Sequence, residues 1–156
     1  MDAAGAGRVI RRVASTVRRM RPPYEVFVLI RRHDEYLILH RSPRQGAYWH
    51  CVAGGVEEGE TYAEAAVREL REETGLDAEL VDLGRPYDYP LDDPEHQRKR
   101  GSDSIHVECF LAEAPVDWEP RLDWEHDDYR WCATDEAVAL LYFPEPREVL
   151  RNLVAR

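Results

Sequence analysis

From Tyr24 the chain reads YEVFVLIRR, an almost unbroken apolar run, then the polar HDEY, then LILH. Short runs rich in Val, Ile, Phe and Leu, separated by turn formers, predict two strands joined as a hairpin. RSPRQGA carries Pro and Gly and predicts a loop; YWHCV predicts a short strand running into Gly54 and Gly55. At Thr61 the apolar spacing changes to that of a helix, which should run to about Thr74 and stop at Gly75 in a left-handed cap. LDAELVDLGRPY predicts a strand, PLDDPEHQRKRGSD a long polar loop, and SIHVECFLAEA a strong strand. WEPRLDWEHDDYRWC predicts a further loop and a short strand ending near Trp131. Residues 135–141 read as a helix, and PEPREVLRNLVA as a closing helix with Pro146 in its first turn. The pattern is that of one mixed α/β domain, rich in strands, with two or three helices.

Ahead of this pattern, residues 1–21 read as an appendage to a domain spanning 22–156. Ile10, Val13, Val17 and Met20 recur at helical spacing among arginines. They form either an amphipathic helix for an anionic surface or partner, or a basic arm without fixed structure. The arm holds six Arg and one Asp, net +5, so the remainder carries −15 of the chain's −10. An acidic body argues against general nucleic-acid binding. It still permits an anionic substrate where a divalent cation mediates.

The length of 156 residues fits one domain with a real core, and 44% hydrophobic against 33% charged residues excludes wholesale disorder. No run approaches the ~18 apolar residues of a membrane span, and no signal-peptide core is visible. Cys51, Cys109 and Cys132 are odd in number and lack a C-x-x-C pair. That points to small buried hydrophobes in a reducing cytoplasm rather than a disulfide framework or a zinc knuckle.

One helix departs from ordinary design. Glu69, Glu72 and Glu73 fall within five residues, and like charges at these spacings repel. With Glu69 at zero, Glu72 lies at about −60° and Glu73 at about +40°. Ala63, Ala66, Val67, Leu70 and Thr74 should form the core stripe, beside the acidic one. A solvated helix whose acids merely cluster would satisfy this pattern. So would a hard-cation site for Mg²⁺ or Mn²⁺, where the metal turns repulsion into attraction.

The surroundings decide between them. Gly54, Glu60, Arg68, Glu69, Leu70, Glu72, Glu73, Gly75 and Leu76 spell G-x5-E-x7-R-E-U-x-E-E-x-G-U, with U aliphatic. Seven fixed letters at this spacing match by chance about once in 10⁸ windows. The chain resembles the Nudix hydrolase superfamily over residues 22–156, and the box itself covers 54–76.

The resemblance implies a mixed β-sheet sandwiched between α-helices, and hydrolysis of phosphoric anhydrides in substrates built on a nucleoside diphosphate. It implies Mg²⁺, with Mn²⁺ as substitute, held by Glu69, Glu72, Glu73 and the carbonyl of Ala53. Glu60 and Arg68 match the ion pair that braces the box, with Gly54 and Gly75 structural. The general base is either a box glutamate, Glu69 or Glu73, or a later acid. Glu125 is the best later candidate, because its spacing to Trp131 resembles the E-x5-W ending of many members. His126 reads as structural or exposed rather than catalytic.

Arg41 matches a phosphate-contacting arginine after the second strand. Arg98, Lys99 and Arg100 form a basic run, from which Arg98 and Arg100 are candidate substrate contacts; a plain solvated loop fits as well. The entrance Val52-Ala53-Gly54-Gly55 replaces a commoner Pro-Gly-Gly. It resembles, with the EHDDYRW ending, the dihydroneopterin triphosphate and dNTP pyrophosphohydrolases. Tyr48, Trp49, Tyr87 and Tyr89 are candidate ring contacts, each equally at home as core or loop filler. The alternatives are a dinucleoside polyphosphate or nucleotide-sugar hydrolase and a non-catalytic Nudix sensing module. The intact box carboxylates disfavour the last. Homodimerisation is left open by the sequence.

Overall fold

The computed structural model describes residues 23–154; the expected basic arm lies outside the described residues. Strands β1 (Tyr24–Arg32) and β2 (Glu35–Arg41) form the expected hairpin. They pair only near the turn and then diverge. β3 (Trp49–His50) continues along β2, and β4 (Val52–Gly55) crosses to pair antiparallel with β1. On its other edge β1 runs parallel to β7 (Ser104–Glu113), in register from Tyr24 opposite His106 to Arg31 opposite Glu113. β5 (Leu80–Asp82) and β6 (Tyr87–Pro90) both pair antiparallel with β7, and β8 (His126–Ala133) with β2.

The unbroken apolar run of β1 is explained by burial on both faces. Val26, Val28 and Ile30 pack towards α1 (Tyr62–Thr74) with Ala65, Ala66 and Leu70. Phe27 and Leu29 pack on the opposite face with Leu141, Val149 and Leu150, from α3 (Thr134–Leu140), the residue following it, and α4 (Pro144–Val154). The mixed sheet is thus sandwiched between helices, as expected. Cys51, Cys109 and Cys132 are buried and unpaired within the second cluster.

Two expectations need correction. The strand expected across LDAELVDLGRPY is cut in two. Gly84 turns at φ 63°, and its N–H donates to Asp82 Oδ1 at 2.8 Å, which ends β5 before β6 begins. The loop expected at PLDDPEHQRKRGSD contains a helix, α2 (Pro94–Arg100). Its start and stop are both written in the sequence: Asp93 caps Glu95 N, Pro94 opens the first turn, and Gly101 closes it at φ 66°. The Lys99–Glu95 pair at 2.9 Å adds i,i+4 support.

Helix α1 starts at its cap Thr61 and ends at Gly75, φ 78°, as expected. Its core face is rotated from the expected one. Ala63 is exposed, whereas Ala65, Ala66, Leu70, Glu73 and Thr74 are buried. Glu73 lies inside the core stripe rather than beside it.

Candidate active site

The box assembles around β4 and α1. A Cβ placed on Gly54 would lie 2.2 Å from both Cδ and Oε1 of Glu69. Only glycine lets that carboxylate lie against the β4 backbone. Arg68 braces the same region. Its Nε and Nη2 donate to the two Glu60 oxygens at 2.8 and 2.9 Å, and Nη2 also donates to the Gly55 carbonyl at 2.9 Å. Its Nη1 donates to Glu69 at 2.8 Å. These bonds hold the Glu60 carboxyl below its ordinary pKa and the guanidinium above its own.

The three helix glutamates occupy different environments. Glu72 is over half exposed, with its side chain at 57%. Glu69 is largely covered, and burial raises its pKa despite the opposing Arg68 bond. Glu73 is 1% exposed and neither of its oxygens has a donor. Burial first, then the neighbouring Glu69 charge, pushes its carboxyl well above the ordinary range. A buried carboxylate left this way costs free energy unless a cation meets it.

Two further groups converge there. His126 is buried, which removes the exposed alternative and leaves the structural one, and it faces the acids. Its Nε2 lies 3.4 Å from Glu73 Oε1, and its Nδ1 lies 2.8 Å from Asp123 Oδ1. Glu73, Glu125 and His126 each offer a ligand atom within 4.8 Å of the others, the kind of donor set a divalent cation takes. Glu125 is delivered by the segment between β7 and β8. Trp131 Nε1 donates to Glu119 Oε2 at 2.8 Å, and Arg32 stacks on the Trp131 ring at 3.9 Å while donating to Glu119 Oε1 and the Trp118 carbonyl. Arg121 N donates to the Thr74 carbonyl at 2.9 Å, tying this segment to the end of α1. Ser42 N then holds the Glu125 carbonyl at 2.8 Å.

Arg41 stands beside the cluster. Its Nη2 is 3.9 Å from Glu125 Oε2 and donates to Gln45 Oε1 at 3.1 Å, and its Nε is buried without a partner. Next to it opens a cavity of about 370 Å³. Ala53 and Gly54 form one wall; Tyr48, His50, Tyr87, Tyr89 and Phe143 supply aromatic surface, with Glu25 and Glu145 at its polar rim. Trp49 is not part of this lining and packs instead against His40 and Arg130. Arg100 reaches the rim through Glu25, 3.1 Å away, whereas Arg98 is exposed on α2.

Sequence reasoning missed His50, Phe143, Glu25 and Asp123. Only Asp123 carried a signal, its i,i+3 spacing to His126. The others come from distant elements and are joined by topology alone.

The chain matches the NUDIX domain family over residues 20–153. It is 28% identical over 140 residues to dihydroneopterin triphosphate diphosphatase of Escherichia coli, covering 85% of this chain and 92% of that one. The solved structure of the E. coli dihydroneopterin triphosphate pyrophosphohydrolase superposes with a TM-score of 0.74 at 26% identity, covering 87% of this chain and 97% of that chain. The mouse bis(5'-nucleosyl)-tetraphosphatase [asymmetrical] is 34% identical over 120 residues, covering 76% and 77%. A Myxococcus xanthus protein named octanoyltransferase is 35% identical over 121 residues, 76% of this chain; the match spans about a third of that protein's length, 32%. The chain belongs to the Nudix family, whose hydrolases act on phosphoanhydride bonds and generally use a divalent metal.

Proposed function

We propose that this chain is an Mg²⁺-dependent pyrophosphohydrolase that converts a nucleoside or pterin triphosphate to the monophosphate and pyrophosphate, with dihydroneopterin triphosphate as the lead substrate. The observation that carries this reading is the aromatic cavity abutting Ala53 and Gly54, immediately beside the carboxylate cluster. Its volume of about 370 Å³ lies at the small end of the usual range for ligand sites. The similarity to the E. coli enzyme over nearly its whole length supports the same choice.

Glu69, Glu72, Glu73 and the Ala53 carbonyl would hold the cation, for which Glu73's two donorless buried oxygens are suited. When bound, the metal neutralises phosphate oxygens and makes water a better nucleophile at neutral pH. The protein's own part is placement and proton transfer. Glu125, 29% exposed and reachable by solvent, accepts the proton of the attacking water. Arg41 binds a phosphate oxygen and orients the chain of phosphates from the cavity towards the cluster. Arg100 steadies the rim through Glu25, and Arg98 supplies long-range attraction for an anion. Three buried thiols fit a reducing cytoplasm. The resemblance to the mouse protein carries the second reading, cleavage of dinucleoside polyphosphates.

The test is pyrophosphate release with Mg²⁺ from dihydroneopterin triphosphate, common NTPs and dNTPs, and diadenosine tetraphosphate. Pyrophosphate from the pterin substrate well above all others supports the lead. Preferred cleavage of the dinucleotide transfers the assignment to the second reading.

A further inference from the structure

The Nudix box gives oxygen ligands only. We infer that His126 Nε2 is a nitrogen ligand to a divalent ion that Glu73 also holds, with Glu125 beside it as the proton acceptor, so that this position takes Mn²⁺ and similar ions more readily than an all-oxygen site does. The inference rests on the metal-dependent hydrolase reading and adds a residue outside the box to it.

Three observations support it. First, the Asp123 carboxylate accepts a hydrogen bond from His126 Nδ1 at 2.8 Å. A carboxylate accepts only, so this bond uses Nδ1 and turns Nε2 towards the acids of the helix. This is the carboxylate–histidine arrangement that orients metal-binding imidazoles. Second, Nε2 has no hydrogen-bond partner although the side chain is 0% exposed. Glu73's oxygens are in the same condition on the facing helix. These buried atoms face each other from opposite elements, and a cation between them would give both a partner. Third, the spacing fits. Ligands about 2.0–2.1 Å from one ion sit roughly 2.8–3.0 Å apart in an octahedral arrangement and roughly 3.3–3.4 Å apart in a tetrahedral one. Nε2 and Glu73 Oε1 are 3.4 Å apart.

The chemical consequence is metal choice. Mg²⁺ favours an all-oxygen shell that keeps waters, whereas Mn²⁺, Co²⁺ and Zn²⁺ accept imidazole more readily. Glu125 is the residue before His126 in the chain, so one short segment brings both the proton acceptor and the imidazole to the helix.

The experiment loads the full-length protein with Mn²⁺ and reads nitrogen coupling to the metal by pulsed electron paramagnetic resonance. Protein with ¹⁵N-labelled histidine in otherwise ¹⁴N background distinguishes imidazole from backbone amide. The expected result is an imidazole coupling that changes isotope with the histidine label and disappears in His126→Gln. Asp123→Asn is expected to weaken Mn²⁺ binding about 10-fold while changing Mg²⁺ binding less. Bound Mn²⁺ with oxygen ligands only overturns the inference and leaves the hydrolase reading standing. No Mn²⁺ binding at all overturns both. The labelled wild-type protein gives the answer even where His126→Gln does not fold.

Discussion

Gly54 and the Glu69 carboxyl group occupy space that a single methyl group would close: a Cβ on residue 54 would sit 2.2 Å from Glu69 Cδ. The atom it meets is the end of a flexible side chain, so the carboxylate can swing away while the strand stays in place. Gly54→Ala is therefore expected to cost no more than about 1–2 kcal/mol of stability. It should lower turnover about 100-fold, because an ångström of misplacement is enough at such a site. Thermal unfolding and steady-state turnover on the same preparation check both halves.

Glu73 leads to an opposite pair of effects. A buried carboxylate without donors strains the metal-free protein, and an amide does not carry that charge. Glu73→Gln should raise the melting temperature of the EDTA-treated protein while abolishing turnover. Added Mn²⁺ should stabilise the wild type strongly and the variant weakly, since stabilisation follows binding to the folded state. Calorimetry with and without metal decides; a metal-free variant less stable than the wild type contradicts the assignment.

His50 gives the stability a pH dependence of known sign. Burial, then the Arg41 charge, lowers its pKa to about 3, against an unfolded value of about 6.5. Between these values the unfolded chain binds the extra proton. The contribution is therefore complete above about pH 6.5 and is lost as pH falls, by about 2 kcal/mol at pH 5. Urea unfolding at pH 7 and pH 5 should show a loss that is smaller in His50→Gln by that amount. Equal losses in the two proteins would show that His50 is protonated in the folded state.

Trp131 acts on the site at a distance. Its indole N–H holds Glu119, which also takes a bond from Arg32, and this anchors the segment that ends in Glu125. Trp131→Phe keeps an aromatic ring beneath Arg32 and removes the bond to Glu119. We expect kcat to fall about 10-fold with KM little changed, the signature of a displaced proton acceptor rather than lost substrate binding. A fall in stability without a change in kcat would limit Trp131 to packing.

The box was readable because its chemistry fixes residue type and spacing together, down to the helix cap at Thr61 and the left-handed Gly75. The sheet was readable because β1 is apolar in a continuous run and β7 alternates apolar and polar residues before its own apolar run. The rotation of α1 was not, since apolar periodicity cannot place a glutamate in the core; Glu73 lies there facing His126, which arrives from across the fold. Helix α2 was hidden by its polarity, although Asp93, Pro94 and Gly101 marked its ends. The cavity joins residues from β1, β3, β6 and α4, and no local pattern announces such a meeting.

The most direct measurement is pyrophosphate release from a triphosphate substrate by wild type and Glu72→Gln, each with Mg²⁺ and with EDTA. Glu72 is exposed, so its substitution leaves the core untouched. Turnover that requires Mg²⁺ in the wild type and falls by orders of magnitude in a folded Glu72→Gln protein is the predicted result. Turnover that survives EDTA, or a variant as active as the wild type, would contradict the metal-dependent carboxylate site.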